Sequence, residues 1–319
     1  MDEQTREPVE GSKAWYEQKE AIAKAKLLIR GAVETNVDEP VLTLEKEAKG
    51  SAQEVGYAAR LLVQATLPHS KPETGIYEFE RSNGYVTLKI TADKSCGLPF
   101  GTYPRLLLAW IATEAVRTKS PHIELGKSFN AFMTKLGIAA GGGPRGSATR
   151  LRDHMQRLFS ATVSATYQRN GEWCRMAFCP IEQASMFWDP KQPEQIGIWN
   201  SQISLNQRFF EEITHKPVPV DMHALKMLSK SRSPMALDIY QWLTHRLSYL
   251  REATTVPWAA LQLQFGGDYK LVRQFKAKFI GHLKEVLKFY HQAKVEPTQQ
   301  GLLIRPSKTH VPMRLICTK

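Results

Sequence analysis

Between residues 268 and 290 the chain reads DYKLVRQFKAKFIGHLKEVLKFY. At ~100° per residue, Leu271, Phe275, Phe279, Leu283, Val286 and Tyr290 share one side of a helix, while Lys270, Arg273, Lys284 and Lys288 share the other. Small residues, Ala277 and Gly281, interrupt the basic side and let a helix backbone come close to a partner. The stretch holds six Lys/Arg and two acidic residues, whereas a helix face turned only to water would normally mix its signs. It reads as a helix docked on nucleic acid, with a solvated amphipathic helix carrying excess lysine as the alternative. The setting favours docking, because residues 257–265 predict a short helix and Gly266-Gly267 a turn. Helix, tight turn and basic amphipathic helix follow in helix-turn-helix order.

Elsewhere the apolar pattern predicts disorder over residues 1–12, a helix over 15–29, a turn over 36–40 and a helix over 52–67. Residues 76–80 and 85–90 alternate in sidedness about Asn83-Gly84, the pattern of a hairpin. A long helix follows over 105–118, with Leu106, Leu107, Trp110, Ile111 and Ala115 for a core. Phe129, Phe132, Met133 and Leu136 lie on one face of a shorter helix. After the glycine-rich loop 141–146, Ser147 is placed to cap a helix over 148–159 that buries Leu151, Met155, Leu158 and Phe159. Residues 161–167 and 172–178 then alternate as a second hairpin, completing the order of a winged helix.

Further strands and helices are predicted at 197–203 and 206–213, and the proline-bounded stretch 214–219 marks a domain boundary. Beyond it Asp221 caps a helix, and Ser233-Pro234 opens a long one through Ile239, Trp242, Leu243, Leu247 and Leu250. Strands 294–296 and 301–305 pair across Pro-Thr-Gln-Gln as a wing. The second half thus repeats the first. The fold class expected is α+β, mainly helical, with tandem winged-helix domains and an N-terminal extension. Its divisions are 1–95 (extension), 96–215 (first winged helix), 216–306 (second, DNA-binding) and 307–319 (a basic, flexible tail with a short strand over 311–316).

Charge sharpens this picture. The 319 residues carry a formal charge of +12, which favours a polyanionic partner. Residues 1–60 hold 9 Lys/Arg against 12 Asp/Glu, so the basic character belongs to the body. The four cysteines form no C-x-x-C pair, and no metal or other cofactor is expected. A charged N-terminus without the apolar core of a signal peptide, and no apolar run near ~18 residues, point to a cytoplasmic protein that makes no membrane contact. The loop 141–146 lacks the Gly-Lys-Ser/Thr ending of a nucleotide-binding loop.

Four stretches carry a resemblance to a known family. They are GLPFGTYPRLLLAWIATEA from Gly97, LGKSF from Leu125, SATRLRD from Ser147 with Leu158-Phe-Ser160, and IYQWLTHR from Ile239. The chain resembles the replication initiator proteins of plasmids, in particular the broad-host-range, plasmid-encoded RepA type, over about residues 96–305. The resemblance implies paired winged helices that bind direct repeats (iterons) in double-stranded origin DNA as a monomer. It also implies melting of adjacent DNA and recruitment of the host initiator and replicative helicase. In related initiators a homodimer acts off those repeats, at an operator or in copy control, and the protein is bacterial and plasmid- or nucleoid-associated.

Helix geometry assigns the individual contacts. Lys270, Arg273, Lys276 and Lys278 lie in the N-terminal half of the reading helix, with Arg273 as the guanine reader and Gln274 as an adenine reader. Lys284 and Lys288 are phosphate contacts, or else part of a solvated face. In the first domain Arg145, Ser147, Thr149, Arg150 and Arg157 are candidates, with Arg152 at the margin and an Arg152–Asp153 ion network as the alternative. No catalytic residue is expected. No two of the nine histidines show the His-hydrophobe-His spacing of a rolling-circle initiator, and His215, His245, His282 and His291 read as surface or core-edge residues. An Arg/His/Arg/Tyr recombinase set is left open by counting alone. The alternative function is a tandem winged-helix transcriptional repressor at an operator. Trp15, Tyr16 and Ile22 are candidates for helicase contact or for packing, and the first domain's sheet edge or Phe187-Trp188 for self-association.

Overall fold

A computed structural model of the chain describes residues 54–84, 86–141, 143–169, 172–185, 201–215, 217–266 and 269–311. The expectations for residues 1–51, for Phe187-Trp188 and for a strand beyond 311 fall outside these. The structure is mixed α+β and winged-helix-like.

Two stretches of the chain share one order of elements. The first runs α2 (Thr102–Thr118), β4 (His122–Glu124), α3 (Phe129–Lys135), α4 (Ser147–Phe159), then β7 (Ile181–Ser185) and β8 (Gln202–Leu205). The second runs α7 (Pro234–Tyr249), β10 (Thr254–Pro257), α8 (Trp258–Phe265), α9 (Val272–Leu287), β11 (Lys294–Pro297) and β12 (Gly301–Arg305). Each gives a three-stranded sheet with its last strand in the middle, β4-β8-β7 and β10-β12-β11. Strands of three to five residues are too short to show period-2 alternation, so β4, β7 and β10 were not legible in the sequence.

Between α4 and β7 the chain makes the excursion β5 (Thr162–Arg169) and β6 (Glu172–Phe178). This is the hairpin expected to be the first wing, and it is not one. It joins β2 (Glu78–Ser82) and β3 (Val86–Thr91) in a four-stranded antiparallel sheet ordered β2-β3-β5-β6. The reason lies in β3, whose Val86, Leu88 and Ile90 are all buried. With Leu88 opposite Ala165 and Ile90 opposite Val163, one apolar face is continued across β5.

The helix expected over 52–67 is replaced by β1 (Val55–Ala58) and a one-turn helix, α1 (Arg60–Gln64). A Cβ on Gly56 would lie 2.3 Å from Met222 Cγ and 2.9 Å from Thr113 Oγ1. Glycine therefore lets β1 sit directly on α2 and α6 (Met222–Lys230). There β1 pairs antiparallel with β9 (Val218–Asp221), and β9, into which the proline-bounded stretch 214–219 runs, is buried throughout. The helix α5 (Gln207–His215) precedes it. Caps expected from sequence are present: Asp221 accepts from the amides of His223 and Ala224, and Ser233 from that of Ala236.

Segment 59–69 ties the two stretches together. Arg105 on α2 and Asp238 on α7 are only 5% and 6% exposed and meet in a bidentate pair, Nε to Oδ1 at 2.7 Å and Nη2 to Oδ2 at 2.8 Å. The remaining donors of Arg105 reach the carbonyls of Gly101, Pro68 and Leu67, so all five N–H groups are used. The His69 Nε2–H donates to Asp238 Oδ2 at 2.8 Å. Burial alone would raise the Asp238 pKa; Arg105 and His69 reverse this and hold it below the ordinary carboxylate range. A second knot lies nearby, where Arg81 Nη1 donates to Thr66 Oγ1 and to the Gln264 carbonyl, and Gln264 Nε2 donates back to the Val63 carbonyl.

The tail also differs from expectation at its start. His310 and Val311 are buried, with His310 Nδ1 2.7 Å from the Tyr240 hydroxyl and its ring stacked 4.9 Å from that of Tyr290.

Removing one member of the buried ion pair strands the other in a dry site. Arg105→Met is expected to cost ~3–5 kcal/mol in urea unfolding, with Arg105→Met/Asp238→Leu costing less than Arg105→Met alone. A double variant no more stable than the single would show that the pair is not the source of the loss.

Candidate nucleic-acid interface

Helix α9 starts with Leu271 at its N-cap position and is seated by Phe275, Phe279, Leu283 and Val286, all buried. The aromatic rings interlock with the neighbouring helices, Phe265 to Phe279 at 5.6 Å and Trp242 to Phe265 at 5.5 Å between centroids. With that face fixed, the opposite face presents Arg273, Gln274, Ala277, Lys278, Gly281 and Lys284, all exposed. A Cβ at Gly281 would meet nothing within 4 Å, so the strip between Arg273 and Lys284 is low and open. Lys270 is exposed just before the helix. Lys270, Arg273, Lys278 and Lys284 form no ion pair among the described residues, whereas Lys288 pairs with Glu285 at 2.8 Å.

Lys276 is placed differently from its expected role. Its ammonium donates to the Thr298 carbonyl at 2.9 Å and lies 4.9 Å from the Trp258 ring centroid, at the root of the β11–β12 turn. The helical wheel contained the signal: position 276 falls ~60° from the centre of the buried face, at its margin.

In α4 the candidates separate in the same way. Ser147 does not cap the helix. Gly146 occupies the N-cap position, and the Ser147 hydroxyl donates to the Ala139 carbonyl at 2.6 Å, closing the glycine-rich loop. Thr149 Oγ1 donates to the Gly143 carbonyl at 2.8 Å. Arg157 is bound to Asp153 through Nε at 2.8 Å, and its guanidinium lies 5.6 Å from the Phe100 ring. Asp153 thus takes part in an ion pair on this helix, with Arg157 as its partner, and Arg152 has interactions of its own. Arg145 and Arg150 are exposed and form no ion pair among the described residues.

Beneath α4 lies His154, which its place in the sequence did not mark as core. It is 8% exposed, packed on Phe100 at 4.8 Å and Tyr103 at 5.1 Å, and its Nδ1 has no hydrogen-bond partner among the described residues. Desolvation pushes its pKa down to about 4, against a smaller upward pull from Asp153, with Arg157 and Arg150 adding to the fall. Of the other histidines, His282 Nδ1 lies 3.0 Å from Ser233 Oγ. Among the described residues no group of three His, Cys, Asp or Glu could hold a metal ion. No helix among them is long and apolar enough to cross a membrane.

This geometry defines a winged-helix-like α+β protein with an exposed, basic helix beside a short hairpin. A family model described as plasmid-encoded RepA protein matches residues 98–260, just over half of the chain, and the chain belongs to that family. The match ends within α8, so α9 and the β11–β12 hairpin lie beyond it. No curated protein matches the chain. Among solved structures, one of domains 2 and 3 of RctB, from selenomethionine derivatives, is similar over 76% of this chain and 95% of that chain, with 12% identity and a TM-score of 0.48.

The His154 proton has a readable consequence. The unfolded chain takes it up near the ordinary value of 6.5 and the folded chain only near about 4. Folding stability is thus complete above pH 6.5 and falls as the pH drops towards 4, by up to ~1.4 kcal/mol per pH unit from this group. In unfolding titrations across that window, His154→Leu is expected to flatten the slope; an unchanged slope would remove His154 as its source.

Proposed function

We propose that this protein initiates plasmid replication by binding double-stranded origin DNA, with α9 as the main reading helix. The observation that carries the proposal is the outer face of α9. Arg273, Lys278 and Lys284 stand exposed, with no ion pair among the described residues, around the low strip at Ala277 and Gly281. A guanidinium near a helix N-terminus suits bidentate contact with guanine, and Gln274 beside it suits adenine. Lys284, and Lys288 beyond it, suit phosphates. Membership of the plasmid-encoded RepA family supports the choice of replication over other uses of DNA binding.

In this reading the two repeated element sets are winged-helix DNA-binding units of unequal weight. The α4 surface offers Arg145 and Arg150 to the backbone, while Ser147, Thr149 and Arg157 hold the loop and helix in shape. Two units tied by the Arg105–Asp238 pair contact neighbouring grooves as one body. Origin melting follows from deformation of the DNA and from several copies bound at direct repeats, with binding free energy offsetting local unpairing. The host initiator and helicase are the partners of such a complex.

The test is footprinting of the full chain on the origin of its own plasmid and on the adjoining promoter. Protection of regularly spaced direct repeats is expected. Arg273→Ala should cost ~1–3 kcal/mol of discrimination at one base pair. Lys284→Met should weaken binding at all sequences and lower the salt slope by ~0.9. Protection of one inverted repeat over the promoter alone would favour a repressor. No sequence-specific protection would sink the reading.

A further inference from the structure

The turn between β11 and β12 is fastened from three sides. The carbonyl of Thr298 accepts from the Lys276 ammonium at 2.9 Å and from Trp258 Nε1 at 3.0 Å. The Trp258 amide donates to the Gln300 carbonyl at 3.3 Å. Within the turn, the Thr298 amide and Oγ1 each donate to the Gly301 carbonyl at 2.8 Å, and the Gly301 amide donates to Thr298 Oγ1 at 3.1 Å. On the third side the turn meets β10. A Cβ at Gly301 would lie 2.1 Å from the Val256 carbonyl oxygen, so only glycine allows this approach. Glu296 and Arg305 close the base of the hairpin at 3.1 Å. What these fastenings hold out is Gln299 and Gln300, both exposed.

A lysine is not required to build a tight turn, because the backbone bonds within 298–301 and the indole N–H already do so. What Lys276 adds is a charge-assisted tie from the reading helix itself to the turn. The same ammonium lies over the Trp258 ring, so the helix α8, the helix α9 and the hairpin meet at one point. Gln299 and Gln300 carry amides that both donate and accept, and they are uncharged; such side chains can bond base edges or sugar-phosphate oxygens without releasing counterions.

We propose that Lys276 and Trp258 are positioning residues that lock the 298–301 turn to α9, so that Gln299 and Gln300 contact DNA flanking the base pairs read by Arg273. The inference rests on α9 being the DNA-reading helix. It removes Lys276 from the direct DNA contacts of α9 and makes the turn a second, uncharged contact with a fixed offset from the first. A loose turn would have to be ordered on binding; this one is ordered beforehand.

The experiment uses the full chain and the duplex that it selects from a random-sequence library. Salt-dependent affinity and hydroxyl-radical footprints are compared for Lys276→Met, Lys276→Arg, Trp258→Phe, Gln299→Ala/Gln300→Ala, Lys284→Met and Arg273→Ala, with thermal melts of each. Lys276→Met and the double glutamine variant should both lose protection at the same flank. Each should weaken binding by roughly threefold or more, the scale of one modest hydrogen bond. Their slope of log affinity against log salt should match the parent, while that of Lys284→Met falls by ~0.9. Lys276→Arg, which keeps a donor for Thr298, should restore the flank, and Trp258→Phe should weaken it.

A slope for Lys276→Met lowered like that of Lys284→Met would identify Lys276 as a phosphate ligand and overturn the proposal. So would an unchanged flank in the double glutamine variant, a reading available even if Lys276→Met melts early. Loss of effect in Arg273→Ala would instead discard the α9 reading, and this inference with it.

Discussion

A single buried carboxylate holds this molecule in its shape. Asp238 lies in α7 with almost no water, which is tolerable only because Arg105 from α2 meets it with two parallel bonds and His69 with a third. Those partners come from two helices and from the strap 59–69, so the pair can form only when all three are in place. The other Arg105 bonds end on strap carbonyls and on Gly101. With the β1–β9 pair and the Arg81–Gln264 knot, the Arg105–Asp238 pair joins the two repeated sets of elements into one body. On the proposed reading, in which both sets contact DNA, this matters, because the entropy of fixing one unit relative to the other is lost on folding and need not be lost again on binding.

The formal charge of +12 is a poor map of the binding surface, since the basic residues divide into two populations. Arg81, Arg105, Arg157 and Lys276 are spent on carbonyls, carboxylates and aromatic rings within the fold. Arg273, Lys278 and Lys284 stand exposed on α9 and form no ion pair among the described residues. The former shape the surface that the latter present. Lys276 belongs to the first population although it lies in the same helix as the second, and the difference is ~60–160° of helical rotation.

Long periodic elements were legible because burial and period go together. Most of the apolar residues expected inside α2, α3, α4, α7 and α9 are buried, with Phe159, Leu250 and Leu271 half-buried, and Asp221 and Ser233 cap the helices they precede. The hairpin turn after β11 was also readable, from Pro-Thr-Gln-Gln between two short strands. The strands β4, β7 and β10 were not, for three to five residues carry too little pattern. The apolar, alanine-rich stretch from 52 read as helix because its competitor, pairing with β9, lies more than 150 residues away in sequence.

The sequence by itself determined the helices, their buried faces, the basic character of α9 and the repeated order of elements. These depend on neighbours within a turn or two, and on the cost of leaving apolar surface in water. Only the tertiary structure decided which hairpin pairs with a strand of its own repeat and which is absorbed into the sheet of β2 and β3. It alone also decided which basic residues remain available and which are drawn inside. Each of those outcomes depends on a partner distant in the chain: β3 for the β5–β6 hairpin, Phe100 for Arg157, Thr298 for Lys276. Local pattern holds no record of what a side chain meets after the chain has folded back on itself.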